Sequence, residues 1–246
     1  LKRFFALCAF ILILLGSLFI YLTSSQSQFT WLTPAQFAQA NRPGALALLK
    51  YKLIKLGGPL MRYYHSHRPN IKISITVATL STASEQPGLG APFTTNTDGM
   101  SAWVLSPAAL AALQQALKTN SAASFVSHMI THTGNGQQAG MRRGGQSILL
   151  ASGTYAYTGN SVDVVAKTSS TSIDLLLDAS STELSAVSTT NGPTVKTNFF
   201  AACRAILPDA GGLVINCRNA DATNPTNYWL IVSPVLVDAT GKPIKP

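Results

Sequence analysis

The sequence predicts an α+β fold: a largely antiparallel β-sheet domain with one or two helices, preceded by an N-terminal transmembrane helix. Three observations lead there. From Ile71 onward, short segments alternate apolar and polar residues with period two. One stretch, Ala108 to Lys118, is rich in strong helix formers and follows a capping serine and a proline. The chain also opens with a long apolar run that carries no charge. The 246 residues are 46% hydrophobic and 11% charged, which excludes disorder as the main state. Three cysteines are too few for a disulfide-dense mini-fold.

Phe4 to Leu22 is the uncharged run, FFALCAFILILLGSLFIYL. As a helix it is about 28 Å long, close to the hydrocarbon core of a bilayer. Thirteen of its residues are Leu, Ile or Phe; on the insertion scale these sum to about −6 kcal/mol. Lys2 and Arg3 precede the run and no Lys or Arg follows until Arg42. The positive-inside rule then leaves the N-terminus in the cytoplasm and sends the remainder across the inner membrane to the periplasm. A cleaved signal peptide, releasing a periplasmic or secreted product, is the rival. Its apolar region should be shorter, and Thr23-Ser24-Ser25 is a tolerable cleavage site. The first residue is Leu, which fits an alternative start or a fragment.

The chain divides into 1–25 (anchor or signal), 26–70 (a basic juxtamembrane helical segment) and 71–246 (the β-rich domain). Thr33-Pro34-Ala35-Gln36 reads as a capping box with proline at the first helical position, ending near Asn41. A second helix is expected over 45–56, where Leu46, Leu49, Leu53 and Leu56 share one face and Lys50, Lys52 and Lys55 lie outside it. That helix either lies on an anionic lipid surface or packs its leucines on the following domain. Up to Ser84 there are nine basic residues and no acid; nine basic and nine acidic residues follow. The whole net charge of +9 therefore sits in the first third. The remainder has no net charge, and nucleic acid is not an expected partner.

In the domain, Ile71, Ile73, Ile75 and Val77 alternate with polar or small residues as a half-buried strand. Residues 87–99 read as loop. Ser106 caps a helix whose buried stripe is Leu110, Leu113 and Leu117. After Asn120 only strands are expected. Phe125–Thr133 and Gln137–Met141 flank the turn Gly134-Asn135-Gly136; Ser147–Ala151 is short; Ser161–Lys167 and Ser172–Leu177 flank Ser169-Ser170. Thr194–Leu207 and Leu213–Cys217 flank residues 208–212, and Tyr228–Val237 is a long apolar strand. If the hairpin at 208–212 is symmetric about Ala210, Cys203 lies directly opposite Cys217, near bridging distance. Export supplies the oxidising compartment, so a Cys203–Cys217 disulfide is expected. Two small buried thiols, or a register slipped by one residue, are the alternatives.

No nucleophile elbow, zinc-protease motif, C-x-x-C or phosphate loop occurs. Gly134-Asn135-Gly136 opens a G-x-G-x-x-A string, but no helix can follow it, so it reads as a turn. His128 and His132, four apart on a strand, stand about 13 Å from each other and cannot share a metal. Asp174 and Asp178 have the same spacing and read as solvated carboxylates. His65 and His67 have no Cys or carboxylate nearby to complete a metal site. Arg142-Arg143 read as a solvated, glycine-flanked loop. Neither a cofactor, a metal nor a small-molecule substrate is expected.

The order of segments resembles the C-terminal domain of bacterial secretins, the ring proteins of type II and III secretion, and short secretin-like envelope proteins. The strand IKISITVATL is followed by a loop and the helix SPAALAALQQALKTN. SFVSHMITHTGNGQQAGMRRGG is similar to the family's strand, turn and Gln-Ala strand. TGNSVDVVAKTSSTSIDLLLD, TNFFAACRAILPDAGGLVINC and YWLIVSPVLVDATGKP match its later strands in order. Where pore-forming members carry a gate-linked Pro- and Gly-containing segment, this chain has RNADATNPTN. The resemblance implies a β-rich envelope domain that packs against other subunits or partners. The expected function is that of a non-enzymatic, membrane-anchored envelope protein serving protein–protein interaction or assembly. A ring-forming component of a secretion or pilus-type system is the alternative, and an exported hydrolase with an unrecognised site is the third.

Overall fold

The computed structural model describes residues 29–41, 70–80, 89–150, 152–168, 172–188, 192–218, 226–238 and 240–244. The apolar run Phe4–Leu22, the basic residues Lys50, Lys52 and Lys55, and His65 and His67 lie outside them. Among the described residues no helix is long and apolar enough to cross a membrane.

The chain builds two antiparallel sheets packed face to face, with a helix on each outer face. Strand β1 (Phe29–Trp31) and helix α1 (Pro34–Ala40) come first, then β2 (Asn70–Leu80), β3 (Thr94–Thr95), β4 (Ser101–Leu105) and helix α2 (Pro107–Thr119). Nine strands follow: β5 (Ala123–Gly134), β6 (Gln138–Arg143), β7 (Ser147–Leu149), β8 (Tyr155–Tyr157), β9 (Gly159–Thr168), β10 (Ser172–Ser188), β11 (Gly192–Pro208), β12 (Gly212–Arg218) and β13 (Asn227–Val237). Sheet I has the order β1-β11-β10-β9-β6 and sheet II the order β3-β4-β12-β13-β2-β5; β7 and β8 form a separate ribbon.

Period-two alternation explains the core. Ile71, Ile73, Ile75 and Val77 of β2 are buried between the sheets, with Leu213 and Ile215 of β12 and Leu230 and Val232 of β13. Sheet I answers with Val162, Val164 and Ala166 of β9, and with Ile173, Leu175 and Leu177 of β10. Strand β13 is an apolar run because both its faces are covered. Leu230 and Val232 enter the core, while Trp229 and Ile231 lie under α2.

Both helices start as their sequences dictate. The Thr33 side chain accepts from the Gln36 N–H while the Gln36 side chain accepts from the Thr33 N–H, with Pro34 at the first position. Phe37 then packs on Val165, Leu176 and Ala202, the outer face of sheet I. β1 adds to the same sheet beside β11. Residues 29–41 thus join the sandwich. Ser106 caps α2, and Leu110, Leu113 and Leu117 are its buried stripe, packed on Trp103, Val214 and Trp229 of sheet II. The Trp103 and Trp229 rings stack at 5.7 Å.

The pairing expected between the strands around 208–212 needs correction. The turn is present, with the Gly211 N–H donating to the Pro208 carbonyl at 3.0 Å. It is a passage between sheets, though, and not the end of a hairpin ladder. At Cys203 both edges of β11 are taken, by Leu177 of β10 and by Trp31 of β1. Cys217 instead pairs with Tyr228 of β13. Asp209 holds the passage by accepting from the Leu236 N–H at 3.2 Å. The turn at 134–136 is a second passage of this kind: β5 pairs β2 in sheet II, and β6 pairs β9 in sheet I. The turn between β9 and β10 does close a true hairpin, with Ile173 opposite Thr168.

Candidate interaction surfaces

The residues singled out in the sequence separate onto opposite sides of the sandwich. Cys203 and Cys217 both point into the core between the sheets, fully buried, and both are free thiols. Burial pushes both thiols far up from their ordinary range, and for Cys203 the neighbouring Cys217 adds to it. The direct hairpin opposition on which a disulfide was expected does not occur. The two residues sit in different sheets, Cys203 in sheet I and Cys217 in sheet II.

The carboxylates are on the outer face of sheet I. Asp174 is not simply solvated: Arg204 grips it with two bonds of 2.8 and 2.7 Å. Asp178 stands directly opposite Asp163. Burial, and then the Asp163 charge, raise the Asp178 carboxyl above its ordinary value. Gln138 donates to Asp163 at 3.2 Å and accepts from the Asn41 amide at 2.8 Å, tying the end of α1 to this pair.

The histidines are on the outer face of sheet II. The His128 ring meets the Thr76 hydroxyl at 3.0 Å, and His132 stands opposite Lys72. The sandwich therefore lies between these histidines and the sheet I carboxylates, and brings no His–Asp pair together from them. Among the described residues no three His, Cys, Asp or Glu side chains are grouped to hold a metal.

Beside His128 runs a groove of about 540 Å³, between α2 and the outer face of β2 and β5. Leu117, Phe125, Val126 and Ile231 give it apolar walls. Lys118, His128 and Arg143 line it with basic groups. A bulge shapes it: Ser127 pairs Val77 and Phe125 pairs Ala78, so Val126 is the extra residue. The bulge leaves Phe125 and Val126 both exposed, at 52% and 46%, with Ile130 at 50%. Arg143 is no free loop residue: its guanidinium donates to the His128 carbonyl, joining β6 to β5. Arg142 lies over the Tyr157 ring, 5.3 Å from its centre.

Among the described residues β5 ends sheet II, with twelve residues, and the Arg143 side chain sits on its His128 carbonyl. β10 and β11 also continue past the last residue paired to β9, with Glu183 opposite Lys196 and Leu184 opposite Val195. There they form a two-stranded ribbon of roughly 20 Å. The bulge, the edge position of β5 and the length of this ribbon were not foreseen. Periodicity shows which residues share a face, but not which strand lacks a neighbour.

No family model and no curated protein matches the chain by sequence. Among solved structures it is similar to the type II secretion system secretin GspD of E. coli K12, at 11% identity and a TM-score of 0.41, over 77% of this chain and 54% of that one. It is also similar to a chain of the Klebsiella pneumoniae type II secretion system outer membrane complex of PulD, PulS and the PulC HR domain (11% identity, TM-score 0.42, 75% of this chain and 43% of that one). A third is the secretin XcpQ of Pseudomonas aeruginosa (11% identity, TM-score 0.38, 77% and 64%). The chain thus spans between 43% and 64% of the length of these three.

Proposed function

We propose that this chain is a non-enzymatic, membrane-anchored envelope protein whose β-rich, secretin-like domain docks other proteins. The observation that carries the proposal is the place of β5 as the last strand of sheet II among the described residues, set beside exposed Phe125, Val126 and Ile130. An edge strand beside exposed apolar side chains is a template for another chain. The order of segments supports a place in a secretion system. The uncharged run Phe4–Leu22 behind Lys2 and Arg3 supports single-pass attachment at the inner membrane with the domain in the periplasm.

A second reading is a ring built from copies of this chain. The projecting β10–β11 ribbon favours it, because it extends beyond the last residue paired to β9. Purification of the tagged full chain from its host's membranes, followed by size-exclusion with light scattering, separates the two. A stable complex with a second envelope protein supports the first reading, and a mass that is a multiple of the chain alone supports the second. A bare monomer contradicts both.

A further inference from the structure

We infer that the groove between α2 and β5 receives an extended acidic segment of a partner protein, laid along the free edge of β5. This deepens the docking function proposed above and rests on it. The chemistry of the partner follows from charge. Neither β2, β5, β6 nor α2 contains a single Asp or Glu. On the outer face of sheet II and around the groove stand Lys72, Lys118 and Arg143, with His128 and His132 between them. No other described surface of the domain combines this one-signed charge with a free strand edge. The acids of the neighbouring sheet, Asp163, Asp174 and Asp178, lie beyond the core on the opposite outer face.

Shape decides between classes of anionic partner. A strand edge presents backbone donors and acceptors at fixed spacing, which a peptide main chain matches and a lipid or a phosphodiester chain does not. Arg143 of β6 already donates to one backbone carbonyl of this strand, at His128, which places its charge beside the edge. The bulge at Val126 turns two successive apolar side chains, Phe125 and Val126, toward the groove opening, where Leu117 and Ile231 stand behind them. A segment that alternates acidic and apolar residues satisfies both features. Its carboxylates meet Lys118 and Arg143, and its apolar side chains cover Phe125 and Val126.

The test uses the purified full chain in detergent and a short fluorescent peptide of alternating Glu and Val, read by anisotropy. The expected result is binding that weakens as salt is raised. Lys118→Glu together with Arg143→Glu should weaken it about tenfold. Lys118→Glu alone, at an exposed helix end, should act in the same direction, and the remote control Lys242→Glu should leave binding unchanged. An alternating Lys and Val peptide should not bind. The inference is overturned if the Glu peptide does not bind, if the Lys peptide binds equally, or if the charge reversals have no effect. Binding to phosphatidylglycerol vesicles in place of the peptide overturns it as well, as does a dimer of this chain that buries Phe125 and excludes the peptide. If the peptide fails while the chain still holds a stable envelope partner, this inference falls and the docking function stands.

Discussion

Cys203 and Cys217 show how a residue's role changes with the sheet it falls in. They are not facing residues of one hairpin ladder; they enter the core from two sheets, as small buried thiols. Cysteine-directed labelling of the folded protein, mapped by mass spectrometry, should therefore leave both unmodified, and both should react once the protein is unfolded. Cys203→Ser should cost about 1–3 kcal/mol more stability than Cys203→Ala in urea titration, because the hydroxyl would be buried without a partner. Asp178 makes a second residue-scale case. Its folded carboxyl is raised above the ordinary value, so between the unfolded and folded values the native state holds a proton that the unfolded chain has released. Stability therefore falls as pH rises through that window. Asp178→Asn should raise the urea midpoint at neutral pH. The gain should vanish as pH falls below the ordinary carboxylate range of about 4.

At the scale of elements, what is local in sequence was legible and what depends on partners was not. The capping box at Thr33 and the stripe Leu110, Leu113, Leu117 are set by residues a few positions apart, and both form as the spacing dictates. The alternation at Ile71–Val77 is equally local, because one face of β2 meets the core. β4 and β1 escaped notice because five and three residues are too few to show a period. The passage of β11 into β12 between sheets could not be read from the turn at 208–212, since a turn fixes a reversal and not the ladder that follows. The same holds for the candidate surface: its lysines and histidines stand in the sequence, but the edge that gives them meaning is a property of strand order. Two substitutions test the packing. Leu113→Ala should cost about 2–5 kcal/mol by leaving a cavity between α2 and sheet II, measured by chemical denaturation. Gly145→Ala should be more disruptive than an ordinary surface change, since a Cβ there would overlap the Thr158 carbonyl. Its expected signature is a loss of thermal stability larger than that of Gly153→Ala, where no atom stands in the way and only the left-handed backbone (φ 77°) opposes a side chain.

For the whole molecule, charge and layering point the same way. The basic excess belongs to the first third of the chain, while the sandwich has a shielded core, an outer face on sheet I where carboxylates stand among Lys167 and Arg204, and a basic outer face on sheet II. In the proposed docking role such a module presents edges, and its location decides which partners it can meet. The apolar run at the N-terminus is the feature expected to assign that location, so the most direct measurement is protease access to a C-terminal tag on the full chain. The tag is expected to be protected in intact cells, to be cleaved once the outer membrane is opened, and to sediment with membranes after alkaline extraction. A tag that stays protected until the cytoplasm is lysed, and is then recovered with the soluble fraction, would contradict the envelope role.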